Sequence, residues 1–207
     1  MELILIACSG KKTEGGTIEY HDSNLSNFMS LTTYQDLLSH RLMLAKELNL
    51  PFAQDVGSDV NNGHILFEPA FKRYTGRVCE RSNFQGLYPK ANNFKVITVS
   101  AFYGILDAAD SIRNYDLMMD TKIFKRQKVN SFWKKQNLGR ILQEYITNLS
   151  PTKIHDLLPV SYRKALTPWD GELFSQSNIS YKLYEYPGQG NGALWKRGDD
   201  LRTIFQG

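Results

Sequence analysis

Cysteine is scarce in this sequence: Cys8 and Cys79 are the only two among 207 residues, and neither sits in a Cys-x-x-Cys pair. That excludes a disulfide-stapled extracellular scaffold and a structural zinc site built on paired cysteines. The four histidines, His21, His40, His64 and His155, fall at no metal-ligand spacing, so neither a metal nor a cofactor is expected. Long apolar runs are missing too. Nothing approaches the roughly 20 residues a membrane helix needs, and the apolar opening is too short, and led by Glu2, to read as a signal peptide. A soluble, cytoplasmic protein without membrane contact is expected. There is no repeat or low-complexity tract, and 42% hydrophobic with 22% charged residues excludes disorder, coiled coil and fibre as the main organisation.

The residues that are present alternate short strands with helices. Leu3-Ile4-Leu5-Ile6-Ala7 is apolar on both faces, which fits a central strand rather than a half-buried edge. Phe94 to Ser100 is a second, β-branched strand; Ile154 to Pro159 and Ser180 to Tyr186 are two more candidates. Tyr34, Leu37, Leu38, Leu44, Ala45 and Leu48 predict a helix over 33–48, capped by Thr32 or Thr33. Residues 49–63 read as a turn-rich connection, and Pro69 to Glu80 as a weaker helix that Gly76 can break. One helix or two span Ile123 to Leu149, another opens at Tyr162, and a final one covers 193–205. This order predicts an α/β, Rossmann-like fold with a mostly parallel sheet flanked by helices and ligand sites at the carboxyl ends of its strands. The chain reads as a single domain over 1–207, with a helical insertion around 49–93 and a basic helical region at 122–149.

Four segments carry chemistry. Cys8-Ser9-Gly10-Lys11-Lys12 supplies a hydroxyl, a flexible glycine, two cations and backbone N–H groups at a strand end, the parts of an anion-binding turn. It lacks Walker A spacing, and an ordinary solvated loop reads equally well. Cys8 is a nucleophile if Lys11 or Lys12 supports its thiolate, and otherwise a small buried hydrophobe. Ser100 to Asp107, continuing through Asp110, Arg113, Tyr115 and Asp116, makes either a site wall or a structured loop in which Arg113 pairs with Asp116. The third segment is basic: Lys122, Lys125, Arg126, Lys128, Lys134, Lys135 and Arg140 lie between 122 and 143 with no Asp or Glu, and Phe132 and Trp133 are interleaved. More than the whole formal net charge of +4 sits there, which suits a polyanion and equally suits a solvated helix face. The fourth, Tyr186 to Arg197, places glycines ahead of the last helix.

Together, the Leu-Ile-Leu-Ile-Ala-Cys-Ser-Gly-Lys-Lys start, Tyr74-Thr75-Gly76-Arg77-Val78, Val99 to Asp107, Ile112 to Leu117 and the glycine-rich turn before Trp195 resemble the YaaA-like superfamily, in particular its short uncharacterised branch. The resemblance implies an α/β core and links to peroxide stress, to DNA binding through a helix-hairpin-helix-like element, and to the modification of bases in DNA. It places family pocket positions on Ser9, Lys11, Lys12, Tyr74, Gly76, Arg77, Ser100, Tyr103, Gly104, Arg113, Tyr115 and Asp116. The Cys8-Ser9-Gly10 start departs from the Ser-Pro-Ala-Lys style of the stress proteins.

The expectation is therefore an enzyme acting on a nucleotide or on a base in DNA, by glycosidic-bond cleavage, base exchange or base modification. Asp107, Asp116, Ser100 and Tyr103 would be catalytic. Substrate phosphate would lie on Cys8, Ser9, Gly10, Lys11, Lys12, Tyr74, Arg77, Gly104, Arg113 and Tyr115. Lys125, Arg126, Lys128, Lys134, Lys135 and Arg140 would contact nucleic acid, DNA rather than RNA. The competing expectations are a non-enzymatic DNA-binding protein of a stress or damage response and a small-metabolite enzyme.

Overall fold

The structure, a computed structural model, describes residues 1–168, 179–190 and 192–207. Its centre is a five-stranded sheet. Strand β1 (Glu2–Ala7) is followed by helix α1 (Leu31–Glu47), a short β2 (Phe67–Pro69), and three short helices, α2 (Ala70–Arg73), α3 (Arg77–Ser82) and α4 (Phe84–Leu87). Strands β3 (Phe94–Ser100), β4 (Gly104–Asp107) and β5 (Ser111–Arg113) come next, then the hairpin of β6 (Lys122–Ile123) and β7 (Gln127–Lys128). Helices α5 (Val129–Lys135) and α6 (Leu138–Leu149), strand β8 (Lys153–Asp156), helix α7 (Val160–Leu166), strand β9 (Ser180–Leu183) and helix α8 (Gly192–Gln206) complete the described chain.

The strand order is β4-β3-β1-β8-β9. β1 pairs in parallel with β3 (Glu2 opposite Phe94) and with β8 (Glu2 opposite Lys153), and β8 pairs in parallel with β9. Its central place explains its sequence: Leu3, Ile4 and Leu5 are fully buried because strands lie on both sides and packed layers on both faces. The sheet is mixed: three of its four pairings are parallel, and β4 doubles back antiparallel on β3, with Ser100 opposite Gly104. Gly104 makes that reversal possible. Its φ is +72°, and an added Cβ would lie 2.8 Å from the Trp133 ring, so a larger residue has neither the backbone angle nor the room.

Several boundaries differ from the pattern in the sequence. Helix α1 starts earlier than Thr33, and its cap is Ser30, whose hydroxyl accepts from the Thr33 N–H at 3.2 Å. Gly76 does break the 69–80 segment, leaving α2 and α3 on either side. Residues 122–128 form a hairpin instead of helix, with Phe124, Lys125 and Arg126 all at positive φ. Phe132 and Trp133 are core residues, and the Trp133 indole donates to the Ala101 carbonyl at 2.8 Å. Among the described residues no helix is long and apolar enough to cross a membrane.

Candidate functional site

The carboxyl ends of β1 and β8 open into a cavity of about 510 Å³, within the usual range for small-molecule sites. Its floor is Ile6 to Lys11 as the chain leaves β1. One wall is Thr75 to Glu80 at the start of α3; the other is Leu157, Pro159 and Tyr162 after β8, with Leu194 and Arg197 of α8.

Local chemistry assembles these parts. Cys8 still donates its N–H to Val99 at 2.9 Å, and the Ser9 hydroxyl then folds the next turn by donating to the Lys11 carbonyl at 2.8 Å. Thr75 donates its N–H to Lys11 at 3.0 Å and Thr13 donates to Arg73 at 2.9 Å, so residues 11–13 run beside 73–75 and bring α3 against the turn. The approach is close enough that a methyl group on Gly76 would collide with the Ser9 hydroxyl. Helix α8 lies equally tight on α3: a Cβ at Gly198 would come within 2.5 Å of Arg81 Cβ. The opposite wall is fixed by Leu157, which donates its N–H to Leu5 at 3.0 Å and accepts from Arg197 Nε at 3.0 Å. The Arg197 guanidinium also lies 4.8 Å from the centre of the Tyr186 ring.

Among the described residues, the lining carries three cations, Lys11, Arg77 and Arg197, and one carboxylate, Glu80. Cys8 Sγ is 3.3 Å from the Tyr162 hydroxyl, and burial raises the pKa of that phenol, so it keeps its proton. Behind the turn, Lys12 Nζ lies 4.0 Å from the centre of the Tyr115 ring, with no hydrogen-bond partner among the described residues, and burial lowers its pKa. The second thiol of the cavity is Cys79, pushed up to about 12 by burial and by the neighbouring Cys8. Among the described residues no cluster of three or more His, Cys, Asp or Glu is placed to hold a metal ion.

The structure brings Cys8, Ser9, Gly10, Lys11, Gly76 and Arg77 to this cavity and leaves the other expected site residues away from its lining. Arg113 is 3% exposed, and its partner is Asp55, not Asp116: Nε donates to Asp55 at 2.7 Å, a second nitrogen reaches the other carboxylate oxygen, and a third donates to the Pro51 carbonyl at 2.6 Å. Tyr103 donates to the same Asp55 at 2.6 Å. Ser100 accepts from the N–H groups of Phe102 and Tyr103 and meets the Tyr115 hydroxyl at 2.8 Å; Tyr115 in turn meets Tyr74 at 2.9 Å. Asp107, 1% exposed, accepts from Ala109 N–H and from the Tyr88 hydroxyl, while Asp116 is exposed. Gly104 serves the β3–β4 turn. Lys125, Arg126, Lys128, Lys134, Lys135 and Arg140 are all exposed on the hairpin, α5 and α6.

Tyr162 and Cys79 were missed because nothing local marks them; each reaches the cavity only through the packing of its helix. Arg197 stood in the glycine-rich segment singled out in the sequence, and its side chain, not backbone N–H groups, reaches the cavity. In that segment Asn191 lies outside the described residues.

A protein-family model described as peroxide stress protein YaaA matches residues 17–192. No curated protein matches the sequence. The family match bears out the resemblance seen in the motifs and corrects the functional expectation. It points to a stress protein, not to a nucleotide- or DNA-base-directed glycosidase or transferase, and it carries neither the nucleotide nor the DNA partner expected from the basic stretch. The matched span begins after Lys12, so the turn that floors the cavity lies outside it.

Proposed function

The chain belongs to the peroxide stress protein YaaA family, and on that premise we propose that it serves the stress response by holding a small organic anion in the cavity between β1 and β8. The observation that carries this reading is the excess of positive charge, Lys11, Arg77 and Arg197 against Glu80, around a 510 Å³ space floored by a strand-end turn. Fixed cations in a partly dehydrated cleft hold an anion more firmly than the same charges in bulk water. We read the architecture as Rossmann-like and doubly wound. The parallel strands run β3-β1-β8-β9, so the strand order reverses beside β1, and ligands of such sheets sit outside the carboxyl ends at that reversal. In this reading residues 1–207 act as one domain, and the 49–93 insertion contributes the α3 wall.

The test is a thermal-shift titration with small dicarboxylates and inorganic phosphate, repeated on Arg77→Gln/Arg197→Gln. A bound anion at 100 times its Kd raises stability by about 2.7 kcal/mol, and the double variant should abolish that rise. No stabilisation by any anion at millimolar concentration, or a rise that survives the double substitution, would refute the reading.

A further inference from the structure

We propose that Cys8 and Cys79 form a peroxide-reactive thiol pair in the cavity, Cys8 being oxidised first and Cys79 closing on it. Both cysteines are free, and both line the same space from different elements, one at the end of β1 and one in the first turn of α3. Ser9, next to Cys8, and Gly76, three positions before Cys79 at the start of α3, are already packed so closely that no side chain fits between them, so the fold itself holds the turn after β1 against the helix that carries Cys79. The proposal goes beyond the anion reading and does not depend on which anion the cavity takes.

The surroundings assign the order. Cys8 is partly exposed at the cavity floor, where a small oxidant can reach it; Cys79 is 6% exposed. The thiolate is the reacting form of a cysteine. At Cys8 it meets the Tyr162 hydroxyl at 3.3 Å, a phenol that stays protonated and can donate first to sulfur and then to the oxygen that sulfur gains. The burial that keeps Cys79 protonated makes it the less reactive of the two thiols toward peroxide, so the first oxidation falls to Cys8.

The chemistry balances with hydrogen peroxide as the oxidant. The Cys8 sulfur attacks one peroxide oxygen, an S–O bond forms and the O–O bond breaks. Sulfur gives up two electrons, and the departing hydroxide takes a proton and leaves as water. Cys79 then loses its proton and attacks the Cys8 sulfur; the S–S bond forms, the S–O bond breaks, and the released hydroxide takes the Cys79 proton as a second water. Two thiols and one peroxide give one disulfide and two waters. The cross-link would tie the turn after β1 to α3 and so reshape the floor and one wall of the cavity together.

The experiment uses the reduced full-length chain and hydrogen peroxide, followed by alkylation under denaturing conditions, intact-mass measurement and peptide mapping. The expected result is loss of both alkylatable thiols, a mass lower by two hydrogens, and a Cys8–Cys79 cross-linked peptide within one chain. In Cys79→Ala, Cys8 should gain a single oxygen and be trapped by dimedone; in Cys8→Ala, Cys79 should stay reduced under the same exposure. Both thiols surviving excess peroxide, Cys8 passing to the sulfinic acid while Cys79 stays free, or a disulfide only between two chains would each overturn the proposal. The wild-type measurement decides the matter even if a variant folds poorly. Failure of this test leaves the anion titration unaffected, and the reverse also holds.

Discussion

Replacing Asp55 by alanine removes the acceptor for two Arg113 nitrogens and for the Tyr103 hydroxyl in one step. Asp55 is fully buried and Arg113 is 3% exposed, so the guanidinium would be left with the Pro51 carbonyl and no counter-charge. Breaking a buried pair by removing one member costs about 3–5 kcal/mol, a large share of the roughly 5–15 kcal/mol that holds a typical protein folded. For a chain of this size each kcal/mol moves Tm by about 2–4 °C, so a fall of roughly 6–20 °C is expected. Urea denaturation followed by tryptophan fluorescence, with calorimetry beside it, measures both quantities. Asp55→Ala/Arg113→Met should recover much of the loss, since it removes the stranded charge together with its partner. A cost below about 1 kcal/mol for Asp55→Ala, or a double variant no more stable than the single one, would show that Arg113 is not held by this pair.

Gly76→Ala should destabilise the chain by about 1–3 kcal/mol, because the new methyl runs into the Ser9 hydroxyl, and should also weaken ligand retention in the cavity; chemical denaturation and the anion titration together check it. Burial and the neighbouring Asp107 push Asp110 up to about 6 from the ordinary 3.8. Its folded pKa therefore lies above its unfolded one, the native state binds the extra proton between those values, and this group's contribution to stability falls as pH rises from about 4 to 6, by an amount on the order of 2 kcal/mol. Urea unfolding across that interval should show the loss, and Asp110→Asn should flatten it; an unchanged slope in the variant would place the effect elsewhere.

The strands were the most readable part of the molecule. β1 and β3 declare themselves because a strand buried on both faces has to be a continuous run of Leu, Ile and Val, and nothing polar interrupts 3–6 or 96–97. The 104–116 segment misled for a physical reason. Its Asp, Arg and Tyr are the residues a ligand site would use, yet Arg113 is taken up by Asp55, which arrives from a turn about fifty positions away, Tyr115 by Ser100 and Tyr74, and Asp107 by Tyr88 and the Ala109 N–H, while Asp116 stays exposed. Buried pairing between distant residues leaves no periodic trace. The basic stretch misled differently: Lys134 and Lys135 are exposed while Phe132 and Trp133 beside them point into the core, so the interleaving records one helix with two faces. The Cys8 to Lys11 half of the cavity was legible as a strand-end turn, whereas Tyr162 and Cys79 reach it by tertiary packing alone.

The central position of β1 has a consequence for the birth of the molecule. Leu3 to Ile6 are translated before both of their neighbours in the sheet: one flank must wait for Phe94 and the other for Lys153. At about 5–20 residues per second, roughly 8–30 s pass before the second neighbour has been translated. For that interval the greasiest segment of the polypeptide is incompletely sheltered, which marks it as the stretch a nascent-chain chaperone would grip.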